Sequence, residues 1–399
     1  MSVNSSPVTF TPAPPGQPVP DIVTISGGRP VFPAELPDGR IVWLVTGYEN
    51  VRQMIIDQRF SRALAVAPGR ARQGFEMFAA GSINGMDPPE HTRLRKLLAS
   101  AFTARRVEAL RPRVAGIVSQ LIDGMTARPQ PADLVAGFSL PLPAQVICEM
   151  LGVPAADLEQ FHAWSDTIVG DWQRDADEIM TALAGLYGYF GALIEIKRAE
   201  PADDLMSALI AARDEDDRLS EQELTVMCCT VLIGGHETTA NQINLSLLLL
   251  FDHPGEVAKL RADPGLIPGA VEELLRCSRL GSLPPARVTR EDVQIGGVVI
   301  PAGEEVIPLF GTANRDPSVF GNPDRFDVTR DAASHLTFGA GVHHCLGAQL
   351  ARVELQEAFR GLIGRLPGLR LAVPASDLEF KPGMAIHSLR ELPVRWDEP

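Results

Sequence analysis

The chain has 399 residues, 43.1 kDa, 45% hydrophobic residues, a mean hydropathy of +0.05, and a formal charge of −14 with a pI near 5.1. So acidic a balance excludes nucleic acid as a partner, because neutralising a phosphate backbone needs a basic face. Five cysteines, an odd number without framework spacing, exclude a disulfide scaffold and predict a reducing, cytoplasmic location.

No Gly/Ser linker, repeat or low-complexity tract divides the sequence, so one domain over 1–399 is expected. Residues 1–35 form an extended proline-rich segment with neither a charged n-region nor an apolar run, which predicts no signal peptide. Asp38-Gly39 reads as a turn before the strand-like stretch Arg40 to Val45, followed by a helix near Tyr48 to Asp57. Helical periodicity then dominates from His91 to Leu275, broken by Gly/Pro signals at Arg128-Pro129, Gly152-Val153-Pro154 and Pro201-Ala202-Asp203. Apolar runs such as Leu245 to Phe251 are too short to cross a bilayer, so a soluble protein with no membrane partner is expected.

One helix stands out. Ser220-Glu221-Gln222-Glu223 is a capping box, and the helical pattern runs on to Asp252, where His253-Pro254 stops it. About 32 residues would span roughly 48 Å, and a helix apolar on most sides at that length is a buried central one. Its middle holds Gly234-Gly235-His236-Glu237-Thr238-Thr239, a poor place for two glycines unless something approaches the backbone or the helix kinks there. Beyond it, Glu273 and Arg276 share a helical face at i, i+3. Strands return between Arg287 and Leu309, with turns at Gly296-Gly297 and Pro301-Ala302-Gly303, and an extended region covers Leu369 to Trp396. The whole predicts a mainly α fold with small β-sheets.

The most informative segment is Phe338-Gly339-Ala340-Gly341-Val342-His343-His344-Cys345-Leu346-Gly347. A helical pattern follows from Leu346 to Leu362, so unpaired N–H groups and the positive end of a helix dipole are expected to face the Cys345 sulfur and favour its thiolate. Gly339, Gly341 and Gly347 let the backbone pass close to a flat ring, and Phe338 can cover the sulfur. A buried structural cysteine is the bland alternative. Zinc is disfavoured because Cys148, Cys228, Cys229 and Cys277 form no C-x-x-C pair.

The order Phe-Gly-x-Gly-x-His-x-Cys-x-Gly resembles the haem-ligand loop of the cytochrome P450 family. Four motifs in the family's order extend that resemblance over most of the chain. It implies a single-domain P450 fold with haem b between the long central helix and the Cys345 loop, with Cys345 as the iron ligand. Dioxygen is the implied co-substrate, bound where Gly234 and Gly235 open the helix. Glu237 and Thr238 match the acid and alcohol that deliver protons. His91, Arg95, Arg287 and His343 match the residues that hold the haem propionates. Glu273 and Arg276 match a structural pair that holds the proximal loop with Arg325.

The resemblance further implies a monooxygenase that hydroxylates or epoxidises a small hydrophobic substrate, free or carrier-bound. The chain has no flavin or iron–sulfur module, so ferredoxin and ferredoxin reductase are the implied electron donors. Arg93, Lys96, Arg105, Arg106, His344 and Arg352 are candidates for a basic docking patch. Phe75, Phe78, Trp172, Ile233, Leu283 and Met384 are apolar candidates for the substrate pocket, and Trp164 to Tyr189 for a lid. A macrolide, polyketide or peptide-derived substrate of actinobacterial secondary metabolism is favoured over a broad xenobiotic or steroid hydroxylase. A peroxide-driven enzyme and a non-catalytic haem sensor or scaffold stay open, although neither needs the Glu237-Thr238 pair.

Overall fold

The computed structural model describes residues 7–11, 25–70, 78–99, 101–169, 176–216, 219–281, 283–382, 384 and 386–397. In chain order the strands are β1 (Val8–Thr9), β2 (Val31–Glu35), β3 (Ile41–Val45), β4 (Phe60–Ser61), β5 (Ala132–Asp133), β6 (Arg287–Thr289), β7 (Val293–Ile295), β8 (Val298–Ile300), β9 (Glu305–Pro308), β10 (Arg370–Leu371) and β11 (Pro393–Arg395). The helices that matter here are α1 (Tyr48–Ile56), α2 (Glu90–Ala99), α3 (Ala104–Thr126), α4 (Pro141–Leu151), α5 (Leu158–Val169), α6 (Ala176–Ala199), α7 (Leu205–Asp216), α8 (Glu221–Phe251), α9 (Pro254–Ala262), α10 (Ile267–Cys277) and α11 (Ala348–Arg365).

Helices form one body and short strands another. The largest sheet runs β1-β2-β3-β9-β6-β4, with β3 parallel to β9 (Trp43 opposite Val306) and β4 antiparallel to β6 (Phe60 opposite Thr289). It joins the N-terminal part of the chain to the segment after α10, so residues more than 200 positions apart become neighbours. Gly39, at φ +83°, makes the reversal between β2 and β3 that its Asp-Gly signal predicts. Between His91 and Leu275 the described residues are helical apart from β5 and connecting turns.

The central helix α8 starts where the capping box places it. The Ser220 hydroxyl accepts from the Glu223 N–H (3.1 Å) and the Glu223 carboxylate accepts from the Ser220 N–H (2.8 Å). It runs unbroken for 31 residues, about 46 Å. It packs on α4, α6 and α11 and is buried on most sides, with polar members of its core paired along the helix, as in Gln242 Nε2 to Ser246 Oγ (2.9 Å). The local opening expected at Gly234 and Gly235 is therefore absent from the helix in this state. Helix α6 differs from the expectation that all apolar runs are short. Among the described residues, its stretch Asp177–Ala199 alone is long and apolar enough to cross a membrane. Its Leu183, Leu186, Phe190 and Ile194 are nevertheless buried in the core that α5, α7 and α8 share with it.

Helix α11, which follows the cysteine loop, lies along α3. The contact is close because Gly361 has no side chain: an added Cβ would stand 2.5 Å from Val118 Cγ1, whereas at Gly364 nothing lies within 4 Å. Gly361→Ala is therefore expected to destabilise the protein by about 1–3 kcal/mol through overpacking. Gly364→Ala should stabilise it by up to about 1 kcal/mol through helix propensity. Urea unfolding of the pair checks this, and equal effects would refute the packing account.

Candidate functional site

The cysteine loop is built by backbone geometry before chemistry enters. Gly339 (φ +68°) and Gly341 (φ +71°) adopt left-handed conformations, and a Cβ on Gly341 would meet Ile56 Cα at 3.1 Å. The loop thus presses against the end of α1. Gly347, at φ −83° with open space at its Cβ position, meets no such demand from the protein. The Cys345 N–H donates to the Phe338 carbonyl (2.8 Å), closing the loop on itself. The Phe338 ring is clamped by the Arg352 guanidinium (4.7 Å from its centroid) and by His335 (5.6 Å).

Cys345 is open to solvent, yet enough protein crowds it that burial pushes its thiol up. The Gly347 N–H, Arg95 and Arg352 pull the other way without overcoming it. This differs from the expectation that the loop by itself favours thiolate: helix α11 begins at Ala348 with Gly347 as its N-cap, and the pull of the Gly347 N–H on Cys345 is outweighed by burial.

Beside the loop the fold gathers cationic and imidazole groups from four parts of the chain. The His91 ring on α2 lies against that of His343, tilted by 50° at a centroid distance of 4.3 Å. Arg95, one turn along α2, donates to the His344 carbonyl. Arg287 on β6 is 7% exposed and donates to the carbonyls of Ile55 (2.9 Å) and Met54 (3.4 Å). Arg62, equally buried, lies close enough to depress it and has no motif in the sequence to mark it. Burial and then these neighbouring cations lower Arg287 to about 10 and His343 to about 3. His91 is lowered too, by burial and then Arg95.

The carboxylate that these shifts name beside His91 and His343 is Asp87, which already accepts from the Ser61 hydroxyl, the Arg62 N–H (2.9 Å) and Arg290 (2.6 Å). His91 Nδ1 and His343 Nε2 are buried without a hydrogen-bond partner. Buried cations and orphaned ring nitrogens in such number need anionic acceptors. A haem, with two propionates and an iron that takes a thiolate, fits this donor set.

On α8 two adjacent residues face differently. Gly234 and Thr238 lie on the solvent-open strip of the helix, and Thr238 Oγ1 donates to the Gly234 carbonyl (2.7 Å). Nothing would meet a Cβ at Gly234. Gly235 instead packs on α4, where a Cβ would be 2.9 Å from Ile147 Cδ1. Its glycine serves helix packing, not the approach of a cofactor. Glu237 is 1% exposed and turns toward α5, with Oε1 3.3 Å from His162 Nδ1 and Oε2 3.4 Å from Asn241 Nδ2.

Glu273 and Arg276 form a pair with both side chains 0% exposed, joined by Nε–Oε2 (2.7 Å) and Nη2–Oε1 (2.9 Å) contacts. The loop arginine that completes it is Arg330, donating to Glu273 Oε1 at 3.0 Å, and not Arg325. Arg325 points outward, 65% exposed, toward Asp327, and contributes its backbone carbonyl to Arg330 (2.9 Å). Both arginines stand in the same loop, and only the chain's path decides which reaches inward.

In the docking-patch set, Lys96, Arg105, Arg106 and His344 are exposed, whereas Arg93 pairs with Glu223 and Arg352 with Glu272. Of the pocket candidates, Phe78 (1% exposed) and Ile233 (2%) belong to the main hydrophobic cluster. Leu283 and Met384 are half-buried. Their two turns are brought together by a Gly281–Ile386 bridge and by the His387 N–H donating to the Leu280 carbonyl (2.8 Å). Phe75 and Trp172 lie outside the described residues. Of the lid segment Trp164 to Tyr189, residues 170–175 lie outside the described residues, and Trp164 and Tyr189 each pack edge to face on Phe161 across α5 and α6.

The cytochrome P450 family model matches residues 145–264 and 265–365. A nocardicin C N-oxygenase from Nocardia uniformis subsp. tsuyamanensis is 48% identical over 379 residues, covering 94% of this chain and 95% of the relative. A mycinamicin IV hydroxylase/epoxidase from Micromonospora griseorubida is 48% identical over 371 residues, covering 92% and 93%. The LnmA cytochrome P450 hydroxylase from the leinamycin biosynthetic pathway of Streptomyces atroolivaceus superposes with a TM-score of 0.88 at 42% identity, over 95% of this chain and 97% of that one.

Two outcomes are expected from this geometry. Arg330→Ala should cost about 1–3 kcal/mol by exposing Glu273 to loss of a buried charge-assisted bond. Arg325→Ala should stay within about 0.5 kcal/mol. Denaturation that ranks them the other way would refute the pairing. Burial would raise the Glu272 carboxyl, but hydrogen bonds from His335 (3.2 Å) and Arg352 (2.8 Å) prevail and hold it at about 2. A carboxyl lowered by folding contributes stability that is complete above its unfolded value and lost as pH falls toward its folded one. The stability gap between wild type and Glu272→Gln should therefore narrow as pH drops from about 5 to about 3. A constant gap across that window in pH-dependent melts would contradict the assignment.

Proposed function

This chain belongs to the cytochrome P450 family, and from that premise we propose how its residues divide the work of a haem-thiolate monooxygenase. The enzyme uses haem b and O2. When bound, the thiolate-ligated haem supplies activation of dioxygen and transfer of one oxygen atom to the substrate. Everything else is the protein's part.

Cys345 is the iron ligand in this reading, held at a fixed place by the Gly339 and Gly341 turns and by its N–H bond to Phe338. His91, Arg95, Arg287 and His343, with Arg62 behind them, take the propionates. The orphaned nitrogens of His91 and His343 support this most directly, since each would gain the acceptor it lacks. Thr238 stands on the open strip of α8 with its hydroxyl proton engaged by the Gly234 carbonyl, leaving its oxygen lone pairs to accept a hydrogen bond from water beside the oxygen site. Glu237, one residue away, supplies protons from the buried side of the helix. Residues 1–399 act as one domain.

The relatives named for nocardicin C and mycinamicin IV support a natural product of secondary metabolism as substrate, a macrolide, polyketide or peptide-derived compound, free or carrier-bound. Hydroxylation of a C–H bond or epoxidation of an alkene is the reaction. Exposed Lys96, Arg105 and Arg106 on an acidic protein suit an acidic ferredoxin, served by its reductase in the cytoplasm.

Optical titration of the ferric holoenzyme with macrolides, polyketides, peptides, their carrier-bound forms and steroids tests the reading. A low-to-high-spin Soret shift with a macrolide, polyketide or peptide is expected, and a shift with steroids alone would overturn the substrate class. Cys345→Ser should lose the thiolate spectrum. Thr238→Ala should lower product formed per NADH and release hydrogen peroxide instead, while Thr238→Ser retains coupling. Full coupling in Thr238→Ala would remove Thr238 from proton delivery.

A further inference from the structure

Glu237 is the least accessible of the groups placed in the relay, so its protons must come through something else. Its carboxylate lies against α5 rather than on the open strip that carries Thr238. Two imidazoles and one ammonium bear on it: His162 on α5, His236 on its own helix and Lys381 from the C-terminal region, with Asp166 one turn from His162. Burial would raise the carboxyl, and His162, then His236 and Lys381, hold it below its ordinary value, so it rests as a carboxylate ready to accept a proton.

The candidates for loading it differ in what they can reach. Lys381 is paired with Asp166, and its ammonium has no acceptor lone pair with which to take up a proton while it stays charged. His236 is 2% exposed, its ring bonded to the Leu140 carbonyl, and its Nδ1 lies 3.9 Å from Glu237 Oε1. His162 alone spans the boundary. Its side chain is 34% exposed, while its Nδ1 is buried, without a hydrogen-bond partner, and 3.3 Å from Glu237 Oε1, itself unpartnered. At that distance the ring is within reach but out of line, so a small rotation makes the bond.

We propose that His162 is the proton-loading residue of this enzyme, carrying protons from bulk water to Glu237. The proposal rests on the relay role given to Glu237 above. In one transfer, His162 takes a proton from a hydronium ion at Nε2, leaving water behind, and the imidazolium so formed gives its Nδ1 proton to Glu237 Oε1. The ring is left as the other tautomer and resets through a ring flip or a second exchange with water. No charge is created beyond the proton that enters. An imidazole suits this because its two nitrogens face opposite ways and exchange near neutral pH. His236 is a spacer, packed edge to face on His162 at a centroid distance of 5.4 Å.

The test uses the full holoenzyme with its haem, a ferredoxin and reductase, and the compound giving the largest spin shift in the titration above. His162→Gln and His162→Asn keep a polar side chain that cannot carry a proton. Both should slow product formation about tenfold or more and enlarge the H2O/D2O isotope effect on kcat. Spin-shift Kd and the thiolate spectrum should not change. Glutamine and asparagine variants with wild-type rate and isotope effect would overturn the proposal, provided Glu237→Gln is slow. If Glu237→Gln itself keeps full rate and coupling, the relay reading fails first and takes this one with it.

A readout independent of turnover is histidine nitrogen NMR of the ferrous carbonmonoxy protein. A His162 whose Nδ1 faces the carboxylate should show a different Nδ1 chemical shift in wild type than in Glu237→Gln, because its hydrogen-bond acceptor changes from an anion to an amide. An unchanged Nδ1 shift would place His162 out of contact with Glu237.

Discussion

The buried Glu273–Arg276 pair is the constraint from which the proximal side is assembled. Two opposite charges with no exposure are costly to desolvate, so their remaining donors and acceptors reach out to loop backbone and to neighbouring side chains. Arg276 donates to the carbonyls of Asn314 (2.9 Å) and Pro323 (2.8 Å), and Glu273 accepts from the Asp327 N–H (3.1 Å) and Arg330. Asn314 then passes the order on, its side chain bonding the Leu336 N–H (2.7 Å) and the Thr337 hydroxyl (2.9 Å), which donates in turn to the Leu275 carbonyl (2.8 Å). Phe338 and the cysteine loop follow directly. A surface pair at the same spacing would contribute little, and it is burial that lets this one position a loop 60 residues away.

A second constraint acts across the ring edge. Arg62, Arg95, Arg287, His91 and His343 come from α2, β6, the cysteine loop and the turn after β4, and each is placed by sheet or helix contacts far from the cysteine. Burial lowers every one that shifts, and neighbouring cations lower Arg287, His343 and His91 further; holding these groups out of water is a standing cost for the protein alone, offset when anionic propionates arrive. Cofactor binding and folding are thereby linked, as in any site whose charges balance only when filled.

Along α8, a single turn of helix serves three ends. Gly234 and Thr238 share the open strip, Gly235 lets α4 close on the opposite side, and Glu237 faces α5. Adjacent residues 100° apart on a helix cannot share a face, so an alcohol and an acid next to each other in sequence necessarily address different surroundings. The acid thus lies against His162 of α5 while the alcohol keeps the open strip, and in the relay we propose this separates where protons are taken up from where they are used.

By itself the sequence determined the local devices and the chemistry they carry: the capping box that starts α8, the Asp38-Gly39 turn, the glycine-rich loop around Cys345, and the Glu273–Arg276 spacing. Each is written in residues a few positions apart, where backbone propensity and side-chain reach act directly. What tertiary structure decided was partnership between distant segments. That Arg330 and not Arg325 turns inward, that Gly235 serves Ile147, that Arg62 joins the cationic cluster, that burial outweighs the helix dipole at Cys345, and that His162 meets Glu237 all follow from packing. Desolvation and charge coupling depend on what surrounds a group in three dimensions, and no local pattern encodes that.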